Sequence, residues 1–319
     1  MASICAIATH APAARRRAAV RLAVVARRAV LGDCANVRDH ARAVFSRRYW
    51  RRPACVVPMG LRSGRGASAA DLAVTVARRL LDANGHRLRR DAVAALIYCH
   101  DAPDERISES TAGRLQYELG LTAANPFAVS QAHGVAVWIA LDLALGLVEG
   151  PEAADAVLVV ASDKLVFGGP QADMRRLVFG DTAAAALVRG GEAGSWSIDH
   201  LSVRQFATAC DALAPWPSAE VDAFAAFGAG VIGATLEEAG IDAEGLETVL
   251  ATTPDARLAD GVHAASGLPA AADARTEGSS SDPLFALAAI EASTPAGARV
   301  LAWSAGNNGE FACCVLKRL

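Results

Sequence analysis

The chain has 319 residues, 53% of them hydrophobic and 20% charged, with a formal net charge of −3. This composition excludes a disordered or fibrous chain and leaves room for one large core or two modest ones. No run of 18 uncharged apolar residues argues for a membrane span, and the seven cysteines (5, 34, 55, 99, 210, 313 and 314) lack metal-ligand spacing, so they read as buried thiols in a reducing cytoplasm.

Taken in chain order, residues 1–65 carry fourteen arginines against only Asp33 and Asp39, so the acidic excess lies in the remainder. The stretch SRRYWRR (46–52) gathers Arg47, Arg48, Arg51 and Arg52 around two aromatics. It suits a phosphate or an acidic protein partner, or else an exposed helix face paired within the fold. Nucleic-acid binding is not expected, because no recognised module accompanies it. ICAIAT (4–9) reads as a core strand, which argues against a transit peptide. SAADLAVTVARRLLDANG (68–85) has helical periodicity and a Gly stop. AALIYCH (94–100) is a buried strand, SESTAGRLQYELG (108–120) a helix, and PFAVSQ (126–131) a second strand. Residues 134–148 form an apolar helix too short for a membrane, entered through His133, and AVLVVAS (156–162) is a further buried strand. GLRSGRG (60–66) lacks the strand–helix context of a dinucleotide site and reads as a loop. Strands alternating with helices argue for an α/β fold.

The second half repeats this plan. LIYCHDAPD (96–104) is echoed by VLATTPDAR (249–257), and ADAVLVVASD (154–163) by GARVLAWSAG (297–306). The helix behind His133 is matched by SSSDPLFALAAIEA (279–292), where Ser281 or Asp282 can cap the helix and Pro283 can occupy its first turn. Two similar halves, 1–170 and 171–319, are therefore expected, with the two helix N-termini facing each other and a site between them.

These residues resemble the thiolase superfamily, and within it the β-ketoacyl-ACP synthase III group. LVFGDTAAAALV (177–188) is similar to the family's Gly-Asp strand, with Gly180 and Asp181 kept. PFAVSQAHGVAVWIALDLA resembles its strand, nucleophile elbow and buried helix; LQYELGL (115–121) resembles the Leu-Gly element before that strand; and WSAGNNGEFACCVL (303–316) resembles the Gly-rich hairpin lining its active site. The resemblance implies a five-layer α/β/α/β/α fold, dimerising across the strand near 94–100 or its neighbours. It also implies chemistry on acyl thioesters of coenzyme A or of an acyl carrier protein's phosphopantetheine, with no tightly bound cofactor, no metal and no membrane partner. The four arginines would dock such an acidic carrier.

The resemblance also implies a Cys-His-Asn triad, and the chain departs from it at all three positions. His133 stands at the Cys position, Thr252 or Thr253 at the His position, and Glu277 or Gly278 at the Asn position. Two readings stay open. In one, His133 is a general base kept neutral by burial and by the helix N-terminus, with Glu277 and Thr253 beside it and the Gly306–Gly309 turn, including Asn307, offering backbone N–H groups to the thioester oxygen. In the other, the protein is an inactive chain-length-factor-like subunit of a heterodimer with an intact ketosynthase. The neighbouring pair Cys99–His100 is not expected to work together, since adjacent strand residues point to opposite faces.

Overall fold

The computed structural model describes residues 18–21, 27–28, 68–85, 88–101, 109–150, 153–164, 182–190, 194–206, 217–253, 255–269, 271, 280–306 and 308–319. The strands are β1 (Ala18–Arg21), β2 (Arg27–Arg28), β3 (Val93–His100), β4 (Asn125–Ser130), β5 (Ala156–Asp163), β6 (Thr182–Val188), β7 (Trp196–Gln205), β8 (Leu246–Thr252), β9 (Arg299–Ala305) and β10 (Glu310–Arg318). The helices are α1 (Ala69–Ala83), α2 (Thr111–Leu119), α3 (Val135–Glu149), α4 (Ser218–Ala239), α5 (Ala256–Ser266) and α6 (Asp282–Glu291). The expected strand 4–9, the 60–66 loop, Asp181 and the SRRYWRR stretch lie outside the described residues.

Local chemistry sets the element ends. Ser68 and Asp71 form a reciprocal capping box at the start of α1, the Ser68 hydroxyl accepting from the Asp71 amide at 3.0 Å and the Asp71 carboxylate from the Ser68 amide at 2.8 Å. Ser110 caps α2, which stops at Gly120 in the left-handed conformation (φ +66°) that glycine adopts without strain. Helix α3 is apolar on nearly every face, so it is stable only when surrounded.

The described strands follow the order β4-β3-β5-β6-β1-β7-β10-β9-β8, with β2 on β6. Strands β4, β3 and β5 are parallel and β6 is antiparallel to β5; β8 and β9 are parallel, and β10 runs antiparallel to β9 and β7. The series β3, β5, β6, β1 is thus repeated as β8, β9, β10, β7, and β1 meets β7 antiparallel where the two series join. Strand β6 lies beyond residue 170 yet pairs with β5 and packs on α1, so the first block of the sheet extends past that boundary.

Three cores separate the layers. Helices α1 and α2 cover the outer face of the first block, α4 and α5 that of the second, and α3 and α6 lie between the two blocks. This is the expected α/β/α/β/α arrangement. Among the described residues only α4 is long and apolar enough to cross a membrane, and it packs against β7, β10 and α5.

The second outer core is an aromatic stack. Phe311 lies 5.3 Å from the Trp303 ring in parallel and meets Phe224 edge-on at 6.2 Å. A Cβ at Gly228 of α4 would stand 2.6 Å from the Phe311 ring, so only glycine lets the helix approach so closely. Gly228→Ala is expected to lower unfolding free energy by about 1–3 kcal/mol, through overpacking against a ring that cannot move aside. Urea unfolding measures this, and an unchanged midpoint contradicts the packing argument.

Candidate active site

Strand β4 leaves the sheet at Ser130, and α3 begins five residues later. The chain reverses through Gln131 (φ +63°) and His133 (φ +48°), both in the left-handed region that non-glycine residues rarely enter. Neighbouring elements hold the turn in place. The Asp101 carboxylate, just beyond β3, accepts the His133 amide at 2.8 Å, and the Asn308 side chain donates to the Gln131 carbonyl at 3.3 Å. Backbone strain over-determined by its surroundings in this way is characteristic of functional turns.

Asp101 reaches the same histidine twice. Its second carboxylate oxygen lies 3.1 Å from His133 Nδ1, with the ring side chain 12% exposed and the carboxylate 3%. The separation is of hydrogen-bond length, and the carboxylate acts on the ring by hydrogen bonding and by charge. Asp101 is itself positioned by Asp163 at the end of β5, which accepts the Asp101 amide at 2.7 Å. The other oxygen of Asp163 takes the amide and hydroxyl of Ser280, at 2.7 and 2.5 Å, which ties the α6 entrance to the first block.

The direction of the His133 shift is opposite to the one expected from burial and the helix N-terminus. Burial is the largest influence and does favour neutral imidazole, but Asp101, with Glu310 and Asp163 acting at longer range, carries the His133 pKa above its ordinary 6.5.

The second half closes the site from the other side. Pro283 Cγ and Thr252 Oγ1 each lie 3.6 Å from where a Cβ on Gly134 would stand, so the α3 and α6 N-termini face each other as expected. Ser281 occupies the α6 cap position, but its hydroxyl donates to Thr182 at 2.8 Å, so its side chain does not cap the helix. Of the two threonines, Thr252 at the end of β8 borders the elbow, whereas the Thr253 hydroxyl accepts the Asp255 amide at 3.4 Å at the start of α5.

In the turn between β9 and β10, two of the backbone amides are engaged within the turn itself. The Gly306 amide donates to the Glu310 carbonyl at 2.8 Å and the Asn308 amide to the Glu310 carboxylate at 3.0 Å, so neither points at a substrate oxygen. Gly306 is buried against that carboxylate and the Ala132 carbonyl, where a Cβ would clash. Glu277, Gly278 and Asn307 lie outside the described residues, as do Arg47, Arg48, Arg51 and Arg52.

Cys99 and His100 point to opposite faces, as expected. The Cys99 thiol is buried 3.6 Å from the Ala136 carbonyl, and burial pushes its pKa well up, while the His100 ring stacks on Tyr98 at 5.0 Å. Asp101, Asp163, Ser304 and Glu310 were not among the expected site residues. Asp101 follows β3 immediately and Asp163 is the last residue of β5, both at the carboxyl ends of parallel strands where α/β folds build sites, and that position was the available signal.

No family model and no curated protein matches the sequence. The structure, by contrast, superposes widely. ChlB3, an acyltransferase by its description, aligns with TM-score 0.72 and 19% identity over 95% of this chain and 98% of its own. The priming β-ketosynthase of the R1128 polyketide pathway gives 0.68 and 18% over 96% and 99%, and 3-oxoacyl-(acyl carrier protein) synthase III of Pseudomonas aeruginosa PAO1 gives 0.68 and 18% over 95% and 98%. The chain has the thiolase-like fold of the synthase III enzymes. Its elbow, buried helix and C-terminal hairpin are the elements on which the resemblance was read.

Because the folded His133 pKa is raised, the pair stabilises the fold fully below about pH 6.5, and that contribution fades as pH climbs through the raised value. Asp101→Asn is accordingly expected to cost more stability at pH 6 than at pH 9, measured by denaturant unfolding at both. An equal cost at the two pH values contradicts the ion pair.

Proposed function

We propose that the protein transfers an acyl group from a thioester of coenzyme A or of an acyl carrier protein to an O–H or N–H acceptor, in fatty-acid or specialised metabolism, without a covalent acyl-enzyme. The Asp101–His133 pair carries this reading. A histidine that merely filled the space of a lost thiol needs no carboxylate against its ring, whereas a general base does.

In this mechanism, His133 takes the acceptor's proton through Nε2 as the acceptor oxygen or nitrogen attacks the thioester carbon. The tetrahedral intermediate collapses, the C–S bond breaks, and the departing thiolate receives the same proton from the imidazolium. Asp101 acts through His133 as a positioning residue, orienting the ring and stabilising its charged form. Asp163 in turn holds Asp101. The synthase III-like neighbours support thioester substrates, and the arginines at 47, 48, 51 and 52 are assigned to docking the acidic carrier or the coenzyme phosphates. Among the described strands β3 is interior and its neighbour β4 is the sheet edge, so β4 is the strand assigned to pairing with a second subunit. A cytoplasmic location follows from such substrates and belongs to the same proposal.

The test is release of free thiol from acetyl-coenzyme A by the purified protein with hydroxyl and amine acceptors. His133→Asn, which tolerates the left-handed backbone, is expected to reduce kcat by about 10²–10⁴-fold. The wild-type rate should rise with pH through a midpoint above 6.5, because the base must be neutral, and Asp101→Asn should lower that midpoint. An inert protein that co-purifies with a ketosynthase, or full activity in His133→Asn, overturns the proposal.

A further inference from the structure

Beneath the elbow lies a chain of buried hydroxyls that the general-base mechanism does not use. Trp138, one turn into α3, donates its Nε1–H to Ser304 Oγ at 2.7 Å. Ser304 Oγ lies in close hydrogen-bond contact with Thr252 Oγ1. All three side chains are buried, with Trp138 1% exposed, Ser304 0% and Thr252 5%.

The direction of this chain follows from its donors. An indole N–H only donates, so Ser304 Oγ accepts from it. If Thr252 also donated to Ser304, the Ser304 proton would be left buried without an acceptor among the described residues, which is costly. The arrangement that satisfies the protons runs from Trp138 to Ser304 to Thr252. The Thr252 hydroxyl then donates to the Trp303 carbonyl at 3.4 Å, a length at which the bond is weak and readily exchanged for a better acceptor.

That proton borders a notch. Gly134 follows His133 directly, and the space its missing Cβ leaves is framed by Thr252 Oγ1 and by Pro283 Cγ, both 3.6 Å away. The Gly306 and Asn308 amides are engaged within their turn, and the Thr252 hydroxyl oxygen is the polar atom among the three nearest to the missing Gly134 Cβ.

We propose that Thr252 is the oxyanion donor of the site, its proton directed by the Trp138–Ser304 relay toward the acyl oxygen in the Gly134 notch. Thr252 is then a catalytic residue, while Trp138 and Ser304 are positioning residues that polarise it, each bond in such a chain strengthening the next. The inference rests on the acyl-thioester reading above and names the group that stabilises its intermediate.

The test uses the ketone analogue of acetyl-coenzyme A in which a methylene replaces sulfur, ¹³C-labelled at the carbonyl, and reads its stretching frequency when bound. With Thr252→Val the band is expected at higher wavenumber than with wild type, Thr252→Ser should restore it, and Ser304→Ala should fall between. Gly134→Ala places its Cβ at ordinary contact distance, so it should fold while filling the notch, and the band should again move up. In turnover, Thr252→Val is expected to lower kcat by about 10²–10³-fold with KM little changed. Identical bands in folded wild type and Thr252→Val, or no binding of the analogue, overturn the assignment. An intact band shift without turnover leaves the donor assigned and counts against acyl transfer instead.

Discussion

Asp101 holds the turn between β4 and α3 by two attachments to one residue, its carboxylate gripping both the amide and the ring of His133. Without that grip, the left-handed backbone of His133 would not persist in a residue bearing a Cβ. The grip is possible because β3 and β4 are adjacent and parallel, so the residue after one strand lies beside the turn after the other. Asp163, at the end of the next parallel strand, extends the support and binds Ser280 from the second half. One short line of carboxylates therefore fixes the elbow, raises the pKa of the imidazole and joins the two blocks of the sheet.

The electrostatics of His133 result from opposing effects. Burial and the α3 N-terminus favour a neutral ring, whereas three carboxylates favour a charged one and prevail. A ring with a raised pKa is a stronger base when it is neutral, and its cationic form is already stabilised when a proton arrives. His133 and its carboxylate partner come from the first half. The buried hydroxyls of Thr252 and Ser304, from the second half, approach from the opposite side of the α3 entrance, with Trp138 of α3 linking them.

Much of the fold was legible in the linear pattern. Helices α1, α2, α3 and α6 and strands β3, β4, β5, β8 and β9 fall within a few residues of their expected places, because apolar periodicity and flanking Ser, Gly and Pro reflect local physics. The internal repeat correctly anticipated facing helix N-termini. The site was less legible. His133 stood out because a polar side chain opened an apolar helix, but Asp101 is 32 residues away and looked like an ordinary residue after a strand. Ser304, 166 residues from the indole it accepts, carried no signal of a role. The choice between Thr252 and Thr253 turned on which side of β8's end faces α3, and one residue's difference reverses that.

The sequence by itself determined the alternation of elements, the duplication of the plan and the histidine at the mouth of an apolar helix, since each depends on residue types and spacings within short windows. The tertiary structure alone decided what surrounds that histidine. Carboxylate proximity, the direction of a buried proton and the engagement of the Gly306 turn arise between segments far apart in the chain, and the pKa of an imidazole depends on those distances and on burial rather than on its neighbours in sequence.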